Sequence, residues 1–413
     1  MNILYNILVY KILFFLHFLK FFNKKIFKFL NDRKEIFVKL ESTISKKEKY
    51  IWIHVASLGE YEQGLPVFKE IKSLYNNHKI VLSFFSSSGY DLRKDNPIGD
   101  ITIYLPVDSL YNANRFINLI NPAIAVFVKY EFWPNFLKCL KKKSVPTYLL
   151  AGNFRENHWF FKPYGNWMKD NLNAFEHFFV QNQNSKKILN KNNFFNCSIM
   201  GDSRFERVIE LPKQIKKIEY LNEFKNSKKC LVAGSTWFED EKIIIEFINS
   251  YKRNDTCFII VPHQIDLNKI NKTKSLIKKE TVLMSNLNKE NAKRCSVIII
   301  DSIGLLNSIY SYADIGYVGG GMGKTGLHNT LEPAIFKIPV IIGKNFDKFP
   351  EVFELVNLKG FISVKNAKSF KSQMHFLLEN NKIRIEMGQI NYNYINKNLG
   401  ATKKVMSYLK QKK

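Results

Sequence analysis

Short apolar runs rich in Val, Ile and Phe recur down the chain, with longer spacers between them. They fall at 50–55, 79–85, 101–107, 123–128, 147–150, 178–181 and 198–201. They fall again at 230–234, 257–261, 297–300, 315–318 and 340–342. A run this short, with little charge inside it, suits a strand buried on both faces. The spacers place apolar residues at three- and four-residue steps. Tyr61, Leu65, Phe68, Ile71 and Tyr75 do so, as do Ala113, Phe116, Ile117 and Ile120. Each set therefore shares one helical face. Strands alternating with helices mean parallel βαβ units. Two consecutive series predict an α/β chain of two Rossmann-like domains facing each other across a cleft. At 413 residues the chain is long enough for two such cores. The expected boundaries are 31–209 for the first domain and 210–229 for a charged linker with few packing residues. The second domain is expected over 230–413, ending in a lysine-rich helical stretch from 382.

Residues 2–30 stand apart. They are nearly all apolar or aromatic, they lack the small-residue cleavage site of a signal peptide, and they are long enough to span a bilayer. At about 100° per residue, Asn2, Asn6, His17, Lys20, Lys24 and Lys28 share one narrow sector. This predicts an apolar helix with a basic edge. It would lie on an anionic leaflet, or cross it with the lysine-rich exit on the cytoplasmic side.

The charge balance is 63 basic against 36 acidic residues, a net +27. That points to an anionic partner, although a chain this rich in Lys, Asn, Ile and Phe would also arise from AT-rich codons. The lysines are spread out, and no RRM, KH or helix-turn-helix signature is present, which excludes a nucleic-acid module. The five cysteines (Cys139, Cys197, Cys230, Cys257, Cys295) form no CxxC pair and no cluster at zinc spacing. They read as reduced core thiols, and no metal site is expected.

The chemistry should sit where strands end, because ligands of open α/β sheets bind outside the carboxyl ends of the strands. Ala56-Ser57-Leu58-Gly59-Glu60 is a tight strand-to-helix turn. Glu60 falls in the first helical turn, where a carboxylate is favoured by the helix dipole or projects into the crevice. In the second half, Gly319-Gly320-Gly321-Met322-Gly323-Lys324-Thr325 leads to His328-Asn329-Thr330-Leu331-Glu332-Pro333. The glycines would bring backbone N–H groups close to an anion, and the following helix would point its N-terminus there. Gly-Lys-Thr fails as a P-loop, since the required earlier glycine is Val318. Glu332 is suited to bridging two ribose hydroxyls. His263, after the 257–261 strand, is either a contact to phosphate or base or a structural loop residue. Gly234-Ser235-Thr236-Trp237 followed by Glu239-Asp240-Glu241 reads as a capped helix start.

Together these motifs resemble the 3-deoxy-D-manno-octulosonic acid (Kdo) transferases, glycosyltransferases of the GT-B class that modify lipid A. The resemblance is carried by Ala56 to Glu60, Glu131-Phe132-Trp133-Pro134, Gly201-Asp202-Ser203-Arg204-Phe205 and Gly234-Ser235-Thr236. Ala313-Asp314, Val318-Gly319-Gly320 and His328 to Pro333 complete it, in the family's order. It implies Glu60 as general base, with Glu131 and Arg204 stabilising the transition state. Pro262, His263, Gly304, Leu305, Leu306, Asn329, Thr330, Leu331 and Glu332 would hold the CMP of CMP-Kdo. The implied acceptor is the lipid A precursor, at the cytoplasmic face of the inner membrane, with no cofactor. Three positions depart from the family. Its Pro-Arg-His is Pro262-His263-Gln264, its Gly-Glu-Leu is Gly304-Leu305-Leu306, and a frequent lysine is Arg204. Another GT-B enzyme, such as a nucleotide-sugar epimerase or a transferase with a different acceptor, would share the architecture.

Overall fold

The computed structural model describes residues 2–347 and 349–413. Its first sheet contains β1 (Lys49–Val55), β2 (His78–Phe84), β3 (Ile101–Tyr104), β4 (Pro122–Val128), β5 (Thr147–Gly152), β6 (His177–Val180) and β7 (Cys197–Ile199). They lie in the order β3-β2-β1-β4-β5-β6-β7, with every neighbouring pair parallel. The second sheet contains β8 (Lys229–Thr236), β9 (Thr256–Pro262), β10 (Thr281–Leu283), β11 (Val297–Ile299), β12 (Ile315–Val318), β13 (Val340–Ile342) and β14 (Phe361–Ser363). Its order is β10-β11-β9-β8-β12-β13-β14, again all parallel. Both are doubly wound α/β sheets. In each, the first strand lies centrally and the order reverses beside it, between β1 and β4 and between β8 and β12. Loops leaving such a pair diverge and open a crevice.

The period of two sorts each central strand between two cores. Tyr50 and Trp52 pack on one side of β1, and Ile51, Ile53 and Val55 on the other. In β8, Leu231 and Ala233 separate from Cys230 and Val232 in the same way. The Leu58–Leu74 helix buries Tyr61, Phe68 and Ile71 of its predicted face, each such side chain contributing about 1.5–3 kcal/mol. All five cysteines are free and buried.

Three boundaries differ from the expectation. The first unit runs to Arg207 and regains Leu399–Lys413, and the second is Val208–Asn398. The stretch expected as a linker is part of the second core, since Leu221 and Phe224 of its Leu221–Lys225 helix are buried there. The terminal Ala401–Lys412 helix packs Ala401, Val405, Met406 and Leu409 into the core of the first unit. Glu206 fixes the return, accepting the backbone N–H of Gly400 (2.9 Å) and of Thr402 (3.0 Å) at the helix start. An anion there satisfies orphan donors and meets the positive end of the helix dipole.

The N-terminus is also not one helix. Asn2–Leu19 and Lys24–Asn31 are separate helices, because the Asn23 side chain caps the second by accepting from Lys25 N and Ile26 N. The polar sector does not form an outward edge throughout. The Asn6 amide pairs with that of Asn135 (3.1 and 3.2 Å), Tyr5 Oη donates to Asp108 Oδ2 (2.8 Å), and Lys28 Nζ pairs with Asp91 (3.0 Å). Ile3, Phe14, Phe15, Phe18, Phe21 and Phe22 are left exposed. No helix among the described residues is long and apolar enough to cross a membrane.

Candidate active site

In the first unit, β1 ends at Val55 and the helix begins at Leu58, so Glu60 is its third residue. The Ser57 hydroxyl donates to Glu60 Oε2 instead of capping the helix backbone. Lys129 Nζ lies 3.4 Å from Glu60 Oε1. It comes from the loop after β4, across the point where the strand order reverses. Its backbone is left-handed (φ 62°), a conformation that side chains other than glycine rarely adopt. The Glu60 side chain is 18% exposed. Burial alone would raise its carboxyl, but the Lys129 ammonium, the Ser57 hydroxyl and its own backbone N–H outweigh burial and hold it below the usual carboxylate value.

Glu131 follows two residues later. Its Oε2 accepts from Trp133 Nε1 (2.9 Å) and lies 3.0 Å from His54 Nε2. His54 belongs to β1 and is fully buried. Trp52 Nε1 donates to Ser83 Oγ (2.8 Å), and His54 Nδ1 lies 2.9 Å from the same oxygen. His54 Nδ1 also lies 3.2 Å from the Ser83 carbonyl oxygen, and Nε2 lies 3.1 Å from Trp133 Nε1, so the imidazole is held on both edges. Sequence reasoning gave His54 no role. Its signal was a lone polar side chain inside an apolar strand, where every polar atom needs a partner. Arg204 does not stand as a bare cation: its Nε and Nη2 reach Asp202 Oδ2 at 2.8 and 2.6 Å. Asp202 Oδ1 also accepts from Gln63 (3.2 Å), on the helix that carries Glu60. Glu60 and Lys129 are thus joined directly, and Arg204 is tied through Asp202 and Gln63 to the helix that carries Glu60.

The second unit is organised by a residue with no predicted site role. Asp240, fully buried, accepts from Tyr317 Oη (2.7 Å), Gly320 N (2.8 Å), Trp237 N (3.0 Å) and Met322 N (3.3 Å). Gly319 N is bonded to Gly234 O (2.9 Å). This corrects the expected glycine loop, because three of its amide protons face inward: two meet the protein's own anion, Asp240, and the third meets the Gly234 carbonyl. The glycines are needed for packing: a Cβ on Gly319 would strike Ser235 O, and one on Gly320 would strike Gly326 O.

Around this loop, Asn329 Nδ2 donates to Glu332 Oε1 (3.1 Å), which brings those two residues together. The following helix is a single turn, Leu331–Ala334. Thr330 and Leu331 are buried, and Leu331 N bonds Asn329 Oδ1 (3.2 Å), which makes Leu331 a packing residue. Pro262 ends β9, and Gly304 stands at φ 92° in the loop after β11. Leu305 and Leu306 pack against the core beneath it. His263 stacks on His328 (4.2 Å between ring centres) and on Trp237 (4.7 Å). Among the described residues, no group of three or more His, Cys, Asp or Glu could hold a metal ion.

Residues 31–207, which hold both helices and strands of the first unit but not its N-terminal helices or its terminal helix, match the family profile described as 3-Deoxy-D-manno-octulosonic-acid transferase (kdotransferase). A 3-deoxy-D-manno-octulosonic acid transferase of Haemophilus influenzae is 28% identical over 378 residues, covering 87% of this chain and 86% of its own length. One of Aquifex aeolicus is 28% identical over 346 residues, with 81% and 88% covered. The profile and these relatives support a Kdo transferase, and with it a glycosyltransferase. A bifunctional glycosyltransferase/methyltransferase of Fusobacterium nucleatum is 27% identical over 86% of the chain, but the chain spans only 59% of that relative. Among solved structures, UDP-GlcNAc 2-epimerase from Neisseria meningitidis is similar with a TM-score of 0.63 at 14% identity, covering 88% of this chain and all of that one (100%). A glycosyltransferase from Rickettsia africae has a TM-score of 0.59 at 15% identity, with 88% and 98% covered. At such identities the likeness establishes the shared two-domain fold. The family match therefore falls on the unit that holds Glu60, Lys129, Glu131 and Arg204.

Proposed function

We propose that this protein is a Kdo transferase that moves Kdo from CMP-Kdo to the lipid A precursor, lipid IVA, with inversion at the anomeric carbon. Glu60 is the general base: it takes the proton from the acceptor hydroxyl as the oxygen attacks opposite the departing CMP. The observation that carries this reading is Glu60 itself, held ionised between Ser57 and Lys129 at the switch point of the unit that matches the family. A base must be deprotonated before it can act, and the lowered carboxyl pKa favours that form. Glu131, fixed by His54 and Trp133, and Arg204 offer charge to the transition state. Asn329 and Glu332, hydrogen-bonded to each other, would hold the ribose. Cytidylate leaves as an anion, so a metal is not obligatory. The test is to offer CMP-Kdo and tetraacylated lipid A precursor to the purified protein and weigh the products. A mass increase of one or more Kdo units is expected. An acceptor of unchanged mass would sink the proposal, and an epimerase would give that result.

The same reading places the protein at the cytoplasmic face of the inner membrane. The outward apolar residues of the N-terminal helices support this, together with exposed Lys11, Lys24 and Lys25. Lysines near an anionic surface contribute about 1 kcal/mol each. Deleting residues 2–30 should move the protein to the soluble fraction. Activity on membrane-embedded acceptor should then fall more than activity on detergent-dispersed acceptor. Full membrane retention of the shortened chain would assign the anchoring to another surface.

A further inference from the structure

The donor-site reading leaves a gap at the phosphate. Gly319, Gly320 and Met322 have their N–H groups turned onto Gly234 O and Asp240, so they are not free to receive an anion. A neighbouring side chain is free to do so. Trp237 Nε1–H donates to His328 Nε2 at 2.9 Å, and the two ring planes lie within 9° of each other. His263 lies across both rings. His328 N in turn bonds Gly319 O (3.2 Å), which seats the imidazole on the glycine loop. An indole N–H can only donate, so Nε2 must be the unprotonated nitrogen and the ring proton sits on Nδ1. Nδ1–H has no hydrogen-bond partner among the described residues. We propose that His328 donates this Nδ1–H to a phosphoryl oxygen of the cytidylate, and that Trp237 is the positioning residue that fixes the tautomer. The inference rests on the CMP-Kdo reading and extends it to two residues with no assigned role. Burial, and then the neighbouring His263, depress the His328 pKa to about 4, so the donor stays neutral at working pH.

The tautomer is read directly from the imidazole nitrogen resonances of the full-length protein, without any substitution. A protonated Nδ1 is expected for His328, and a protonated Nε2 would overturn the inference. Binding is then measured by calorimetry with CMP and with cytidine, which lacks the phosphate. His328→Asn keeps an amide N–H near the place of Nδ1, whereas His328→Gln puts it near that of Nε2. His328→Gln should weaken CMP about tenfold or more, and His328→Asn by less than about threefold. Trp237→Phe keeps the ring but removes the donor. It should mix the tautomers and weaken CMP, and Trp237→His should recover part of the loss. Cytidine affinity should be unchanged throughout. Equal losses for CMP and cytidine would overturn the phosphate contact, and so would Trp237→Phe with native tautomer and native CMP affinity. Wild-type protein that binds neither ligand, with the Nδ1–H tautomer in place, would overturn the donor-site reading and this inference with it.

Discussion

After β1 and β4 of the first unit, the switch-point loops carry side-chain charges that remain partly open to solvent. After β8 and β12 of the second, backbone amides turn inward onto a buried carboxylate. Glu60 and Glu131 are 18% and 14% exposed, and each keeps one oxygen whose partners are few. Asp240 is 0% exposed and holds four donors. The two sheets share a central strand order and a reversal point, yet the carboxylates at those points have opposite work. One set is placed to exchange protons or offer charge, and the other is a strut. The position of an acid at a switch point therefore does not by itself make it catalytic. The number of donors already bound to it decides.

Substituting both kinds of carboxylate should separate them. Glu60→Gln should reduce turnover by roughly 10²–10⁴-fold. It should leave CMP affinity and the melting temperature close to native, because the amide occupies the same space and the second unit is untouched. Near-normal turnover in a product assay would remove Glu60 from the mechanism. Asp240→Asn should do the reverse. One amide oxygen cannot satisfy four donors, and its own NH₂ group faces them, so stability should fall by about 2–4 kcal/mol. The glycine loop would loosen and CMP affinity fall with it. Calorimetry and thermal melting of that variant settle the point: native values for both would mean that the loop holds its shape without Asp240.

The difference between the two sites also explains what could be read from the sequence. Eleven of the twelve strands recognised as apolar runs are longer or fully buried; β7, three residues with only Cys197 buried, is the exception. The two that escaped, β10 and β14, have three residues each and only partial burial, so they carry no pattern longer than chance. Glu60 was visible as a carboxylate in the first helical turn after a strand end, whereas Glu131 was singled out only through the resemblance to the Kdo transferases. Lys129 stands two residues before Glu131 in sequence, yet its ion pair with Glu60 is made across the switch point. No local spacing encodes such a pair. Asp240 was seen, but as part of a helix cap. That role is real at Trp237 N. Its bonds to Gly320 and Met322 cross about eighty residues of chain, so the glycines looked ready for a ligand's anion. The terminal helix was misplaced for a similar reason. An amphipathic face shows that a helix packs, and only the Glu206 contact at its start decides where.

The smallest expected effect concerns Lys129, and it tests whether the first site is tuned as well as paired. Lys129 Nζ stands 3.4 Å from Glu60 Oε1 on a left-handed backbone, a conformation that costs of order 1–3 kcal/mol and persists only where the surroundings demand it. The ammonium favours the ionised carboxylate against the opposing effect of burial. The acid limb of kcat/KM should therefore lie below the usual glutamate range, since the base is lost only as pH falls through its depressed pKa. Lys129→Gln removes the cation and leaves burial in place, so the Glu60 pKa rises and the limb moves to higher pH, by up to about one unit. Activity at neutral pH changes little, because Glu60 is still ionised there. Lys129→Arg keeps the charge and should keep the limb. The stability linkage has the same sign: the pair helps the fold above the unfolded carboxyl value and ceases to help as pH falls through the folded one. A pH profile of Lys129→Gln that overlays the native one would mean the ammonium serves the loop's shape alone. A loss of activity at every pH would instead make Lys129 a direct partner of the substrates.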